Sequence, residues 1–312
     1  MIRWLVLITF TFVLLVEEAQ AQQDAMNSQY FFHKMLINPG YAGTNDEIQS
    51  TLAYRSQWIG VKGAPTTTVL MVDGPIQGYN LGLGAIFYTD KVGPEYSYSF
   101  YLNLSYQLEL DHQTKLSFGL QGGILKDEID WSKTIAKSLY DHKIYEQSND
   151  SRYTPDLNLG LYLYSIRWYG GISIRHLFEE KYAYARSTQY ESTFSLLSRH
   201  YYLFGGFVSP ITRDRSIYIK PSFIVRYLST TGYHGDITLD FLLQNQFWVG
   251  STLRNLRSII FMMAYNISKS VTIGYSYDYD LGALSQYGSN SHELMISYRL
   301  RDKKRIINPR QF

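Results

Sequence analysis

The chain has no cysteine among its 312 residues. That excludes disulfides, thiol nucleophiles and thiolate metal sites together. Charge of one sign is equally scarce: 29 basic and 27 acidic residues leave a net charge of +2. No Lys/Arg cluster lies on a groove face, so nucleic acid is not an expected partner. No apolar run reaches the ~20 residues that a membrane-spanning helix needs. The longest, Trp4 to Val16, follows Arg3 and precedes Ala19-Gln20-Ala21. A charged start, an apolar stretch and a small-x-small site read as a signal peptide over residues 1–21, with the mature chain beginning at Gln22. Motifs for catalysis are missing too. The seven histidines are scattered, and neither His-x-x-x-His nor Gly-x-Ser-x-Gly occurs. The expectation is no enzyme, with no catalytic, cofactor or metal site. His292 and Glu293 would point to opposite faces of a strand and cannot share a ligand. A serine–histidine pair assembled from distant strands is the one enzymatic reading left open.

What the chain does have is aromatic residues and glycine: 29 tyrosines, 16 phenylalanines and 23 glycines. Their arrangement is clearest in Val271–Asp280. Val271, Ile273, Tyr275, Tyr277 and Tyr279 alternate with Thr272, Gly274, Ser276, Asp278 and Asp280. Side chains on a strand point to opposite faces in turn, so one face is apolar and the other small or polar. Similar runs recur along the chain, at about Gln49–Trp58, Thr66–Pro75, Asn80–Thr89, Glu95–Leu108, Thr114–Leu125, Pro155–Tyr164 and Arg167–Phe178. They continue at Arg199–Ser209, Ser216–Leu228, Gly235–Leu243, Gln246–Arg254, Ser258–Ile267, Val271–Asp280 and His292–Arg301. Alternation is weak in Ser258–Ile267, where Ile259 to Ala264 is apolar throughout. The reading is all-β: a transmembrane antiparallel outer-membrane β-barrel of about 14 strands. Loop lengths agree. The connections Lys126–Thr154, Leu177–Ser198 and Gly282–Ser291 are long and share one end, while Asp111-His112-Gln113, Ser165-Ile166 and Ser268-Lys269 are short and share the other. In such barrels the short turns face the periplasm.

Four regions follow: the signal peptide 1–21, an N-terminal segment 22–47, the barrel 48–301 and a solvated periplasmic tail 302–312. The segment 22–47 does not alternate. Its Tyr30, Phe31, Phe32, Asn38, Pro39, Gly40, Tyr41 and Gly43 combine aromatics with residues that break regular structure. It is expected to plug the lumen or to meet a periplasmic partner. Inward positions carry Arg55, Arg175, Arg226, Asp236, Asp240, Asp278 and Arg299, since a lumen hydrates or pairs charge that lipid would penalise. A structural ion-pair network is the favoured reading, and a selectivity site the alternative. Gly82-Leu83-Gly84 falls within a strand and fits wall packing better than a nucleotide loop.

Several motifs resemble one family. They are Gln23-Asp24, Ser28-Gln29-Tyr30, Asn38-Pro39-Gly40-Tyr41-Ala42-Gly43, Tyr54-Arg55-Ser56-Gln57-Trp58, Gly63-Ala64-Pro65-Thr66-Thr67, Asp90-Lys91-Val92-Gly93-Pro94, Gly274 to Tyr279 and Ser291-His292-Glu293. Together they resemble the PorP/SprF-type outer-membrane proteins of the Bacteroidota type IX secretion system, across nearly all the mature chain. Gly40 stands where Ala would be expected. The resemblance implies a barrel that supports secretion or cell-surface anchoring of particular cargo proteins, including adhesin export in gliding bacteria. It implies, as partners, membrane lipid, secreted cargo, the periplasmic ring lipoprotein and the peptidoglycan-anchoring components of the system. An outer-membrane uptake channel for small or hydrophobic solutes is the alternative.

Overall fold

A computed structural model describes residues 28–30, 32–133, 149–187, 190–229, 231–282 and 290–300. The signal peptide, Phe31 and the tail 302–312 lie outside the described residues. Strands β1 (Ile48–Ser56), β2 (Thr66–Ile76), β3 (Leu81–Val92), β4 (Glu95–Glu109), β5 (Lys115–Asp130), β6 (Asn149–Tyr164) and β7 (Trp168–Arg175) form consecutive antiparallel neighbours. The chain then leaves the wall as a separate hairpin, β8 (Glu180–Ser187) with β9 (Tyr190–Leu197). It returns as β10 (His200–Phe207), which pairs with β7 on one side. A two-residue strand, β11 (Ser209–Pro210), leads to β12 (Ile217–Leu228), β13 (Gly232–Leu243), β14 (Phe247–Arg254), β15 (Ser258–Asn266), β16 (Val271–Asp280) and β17 (Ser291–Leu300). β10 pairs with β12 and β1 pairs with β17, so fourteen strands close on themselves. Closure satisfies every wall strand from both sides, which a sheet in lipid requires.

The faces follow from the alternation. In β17, Ser291, Glu293, Met295, Ser297 and Arg299 are buried inside, while Leu294, Ile296, Tyr298 and Leu300 are exposed outside. In β16, Thr272, Gly274, Ser276 and Asp278 are inward and buried. Val271, Ile273, Tyr275 and Tyr277 take the outer face. The weak pattern of β15 has a physical cause. Phe261, Met263 and Tyr265 face outward, and Ile260, Met262 and Ala264 are buried inside. Its inner face is apolar because Ala264 lines a packed patch with Leu242 and Trp248, against which Phe32 rests.

Two loops need correction. Lys126–Thr154 is not all loop: β5 continues to Asp130 and β6 begins at Asn149, paired residue by residue. β4, β5 and β6 have 15, 16 and 16 residues, well beyond the ~10 that cross the hydrocarbon. Past the membrane neither face must be apolar, so Lys126, Asp127 and Glu128 carry on the ladder without the hydrophobic signal. Leu177–Ser198 likewise contains the β8–β9 hairpin.

Candidate functional site

The lumen is occupied from the N-terminus. Asn38 and Pro39 break any long element, so the segment folds as one helical turn, Lys34–Ile37, followed by a 3₁₀ turn, Pro39–Tyr41. Asn38 Oδ1 accepts from the Gly40 amide at 2.8 Å. Its Nδ2 donates to the carbonyls of Leu161 at 2.9 Å and Ile172 at 3.0 Å, on β6 and β7. One side chain therefore closes the turn and ties it to the wall.

Further ties run round the barrel. Ser173 Oγ donates to the Ile37 carbonyl at 2.6 Å, and Ser105 Oγ to the Ala42 carbonyl at 2.6 Å. Gln107 donates to the Gly43 carbonyl at 2.8 Å, and the Gly43 amide donates to Asp73 at 3.0 Å. The contact is too close for side chains. A Cβ on Gly119 would collide with the Gly40 amide, one on Gly160 with the Asn38 carboxamide, and one on Gly82 with the Ala42 carbonyl. Wall packing at Gly82 is thus packing against residue 42. Aromatics fill the rest: Tyr41 meets Tyr162 edge-on at 5.6 Å, and Phe32 meets Trp248 at 6.4 Å. The Lys34 ammonium sits 4.4 Å from the Tyr169 ring centre, a cation–π distance. Tyr30 is buried, with its hydroxyl 3.4 Å from Thr238.

The other end of the segment meets charge. The Ser28 and Gln29 amides donate to the Glu293 carboxylate at 2.6 and 3.2 Å. Ser28 Oγ donates to Asp278 at 2.7 Å and accepts from Arg55. Arg55 pairs with Asp278 at 2.7 Å and approaches Glu293 at 3.6 Å. Arg254 pairs with Asp236 at 2.9 Å and comes within 3.9 Å of Asp278. Of the seven expected lumen charges, Arg55, Asp236 and Asp278 are gathered here. The others lie apart. Arg175 and Arg226 line the cavity above, and Asp240 faces Lys220 across the β12–β13 ladder. Arg299 donates to Thr272 at 3.1 Å toward the short-turn end. No continuous charged ring forms among the seven.

Sequence reasoning did not count Glu293, Arg254, Asp73, Lys34 and Lys220 among the lumen charges, and it passed over the buried pair His176–Asp156 at 2.9 Å. The signal was present for most of them. Glu293 shares the inward parity of Arg299 on β17, and Lys220 that of Arg226 on β12. His292, on the outer face, lies 2.7 Å from the Tyr275 hydroxyl.

Between the segment and the long-loop end lies a cavity of about 800 Å³, floored by Leu36, Arg55 and Asp278. A second cavity, of about 10 Å³, lies beside Phe32, Trp248 and Arg299, room for about one water.

A closed antiparallel barrel with an apolar outer surface and a buried polar interior is an integral outer-membrane β-barrel. The particular kind is given by sequence. The family model for the type IX secretion system membrane protein PorP/SprF matches residues 19–298, and the chain belongs to that family. A search of curated proteins gave no match. Solved structures similar in shape include Omp33 of Acinetobacter baumannii, at 7% identity and TM-score 0.47, covering 83% of this chain and 100% of that one. A Pseudomonas aeruginosa FadL homologue aligns at 9% identity and TM-score 0.46, covering 84% and 91%. The translocator domain of the autotransporter NalP from Neisseria meningitidis aligns at 12% and 0.45, covering 84% and 90%.

Proposed function

We propose that this barrel is a plugged component of the type IX secretion system that supports secretion or surface anchoring of specific cargo, adhesin-like proteins included. One observation carries the reading: residues 28–30 and 32–47 are seated in the lumen by bonds to strands all round the wall. A passively open pore gains nothing from such a seal. A component that holds or receives a protein gains a rigid body with two usable ends. The short-turn end then offers the ring lipoprotein and peptidoglycan-anchoring components a surface in the periplasm. The long-loop end faces the cargo. Cleavage after Ala21 would leave Gln22 as the first residue of the exported chain.

Planar bilayers test the plug. Removal of residues 26–43 is expected to give steady ion conductance from a barrel that still folds, where the intact protein gives none. A folded, non-conducting deletion would mean that the segment serves a partner instead. Intrinsic steady conductance of the intact protein would favour the uptake channel, which the 800 Å³ cavity also suits.

A further inference from the structure

The cavity at the long-loop end carries an acidic arc and a basic arc, while Arg254 and Asp280, of opposite sign, line the remaining wall from β14 and β16. Asp90, Glu95 and Asp127 line it from β3, β4 and β5, three consecutive strands. Asp90, Ser97 and Asp127 form one cross-strand row. Thr67 and Ser97 hydroxyls each donate to one oxygen of Asp90 and Asp127, at 2.5 and 2.6 Å, which fixes both carboxylates in place. Arg175, His200 and Arg226 line it from β7, β10 and β12, again consecutive in the wall. On β6, between the two arcs, Asp156 is held by His176 at 2.9 Å and by the Tyr101 hydroxyl at 3.0 Å. The floor is closed by the Arg55–Asp278 pair. Tyr88 and Leu125, below the carboxylates on β3 and β5, and Leu197 add apolar lining.

Such a site selects by charge pattern. Walls of opposite sign in a low-dielectric pocket set up a field across it. A polyanion is attracted to the arginines and repelled by the carboxylates; a polycation meets the reverse. A neutral glycan can hydrogen-bond to either arc but gains nothing from the field. A volume of about 800 Å³ is at the large end for small-ligand cavities and holds several residues of an extended chain. We propose that the cavity is a binding site for a peptide segment with basic residues toward one end, acidic residues toward the other and aliphatic side chains between. The proposal deepens the export reading by naming the class of partner, and rests on that reading only for where the peptide comes from.

The experiment uses the full barrel in detergent micelles and fluorescence anisotropy with four labelled eight-residue peptides. One carries paired lysines at one end and paired glutamates at the other; one has the same residues intermixed; one is acidic throughout and one basic throughout. The sorted peptide is expected to bind at least ten-fold more tightly than the other three. Arg175→Gln and Asp127→Asn should each weaken it about ten-fold, with heat-modifiable gel mobility as the check that the barrel has assembled. Should Arg175→Gln fail to assemble, Glu95→Gln at the exposed rim provides the same reading. Equal binding of all four peptides, preference for a single-sign peptide, or indifference to the substitutions overturns the site. Cargo export in cells is scored separately. Export that proves independent of the barrel removes the export reading, while sorted-peptide binding still supports the site.

Discussion

Arg55 shows how much one side chain can hold when its surroundings are dry. It is 4% exposed and faces both Asp278 and Glu293, while Ser28 adds its hydroxyl to the same cluster. Arg55→Met would leave the buried carboxylates of Asp278 and Glu293 facing each other without their shared cation, with only Arg254, 3.9 Å from Asp278, remaining nearby. Breaking a buried pair in this way costs about 3–5 kcal/mol. The urea midpoint for unfolding from micelles should fall accordingly, and an unchanged midpoint would mean that the cluster adds little. The inner face is also less forgiving than alternation alone suggests. The face pattern of β16 predicts that Ile273→Arg impairs assembly far more than Ser276→Arg. Ile273 does face outward, where an arginine costs up to about 2–4 kcal/mol at the midplane and less toward the interfaces. Ser276, however, is fully buried in a filled lumen, so Ser276→Arg is expected to be damaging as well.

At the scale of the element, the tight turns carry local strain that can be relieved. The β14–β15 turn places Asn255 at φ 50° and Leu256 at φ 55°, the pattern of a type I′ hairpin. Asn tolerates that region; Leu, with its Cβ against the following carbonyl, pays roughly 1–2 kcal/mol. Leu256 is 74% exposed and loses little packing on removal. Leu256→Gly should therefore stabilise the barrel by about 1 kcal/mol, read as a higher unfolding midpoint. A lower midpoint would show that Leu256 is held by something beyond its turn. The β4–β5–β6 extension belongs to this scale too. Its ladder continues where the apolar face has ended, so backbone pairing, not hydrophobicity, maintains it.

For the whole molecule, the even strand count places both ends of the wall on one side. The Leu110–Thr114 turn is short and closed by Asp111 Oδ1, which accepts from the Gln113 and Thr114 amides, both at 2.7 Å. The β8–β9 hairpin and the β4–β6 extension lie at the opposite end. If the long-loop end faces outward, an epitope tag near Asn149 or Gln189 should be labelled on intact cells, and one at His112 only after permeabilisation. Surface labelling at His112 would invert the barrel and exchange the roles assigned to its two mouths.

How much was legible beforehand varied with the scale. The fourteen strands, their faces and the closed antiparallel wall were readable because lipid imposes a strict alternation on every crossing. The inward parity of Arg55, Asp236 and Asp278 followed from the same rule. Family membership was readable from short motifs, which can be recognised before their contacts are known. Which charges meet was not, because Arg55 is separated from Asp278 by more than two hundred residues and reaches it only when β1 closes against β17. The role of Gly82, Gly119 and Gly160 was equally hidden: a missing side chain has no meaning until another piece of backbone occupies its space. The wall could be read from each strand alone, since each strand answers to the membrane beside it. What fills the wall emerges only on folding, since the interior answers to residues brought together by closure.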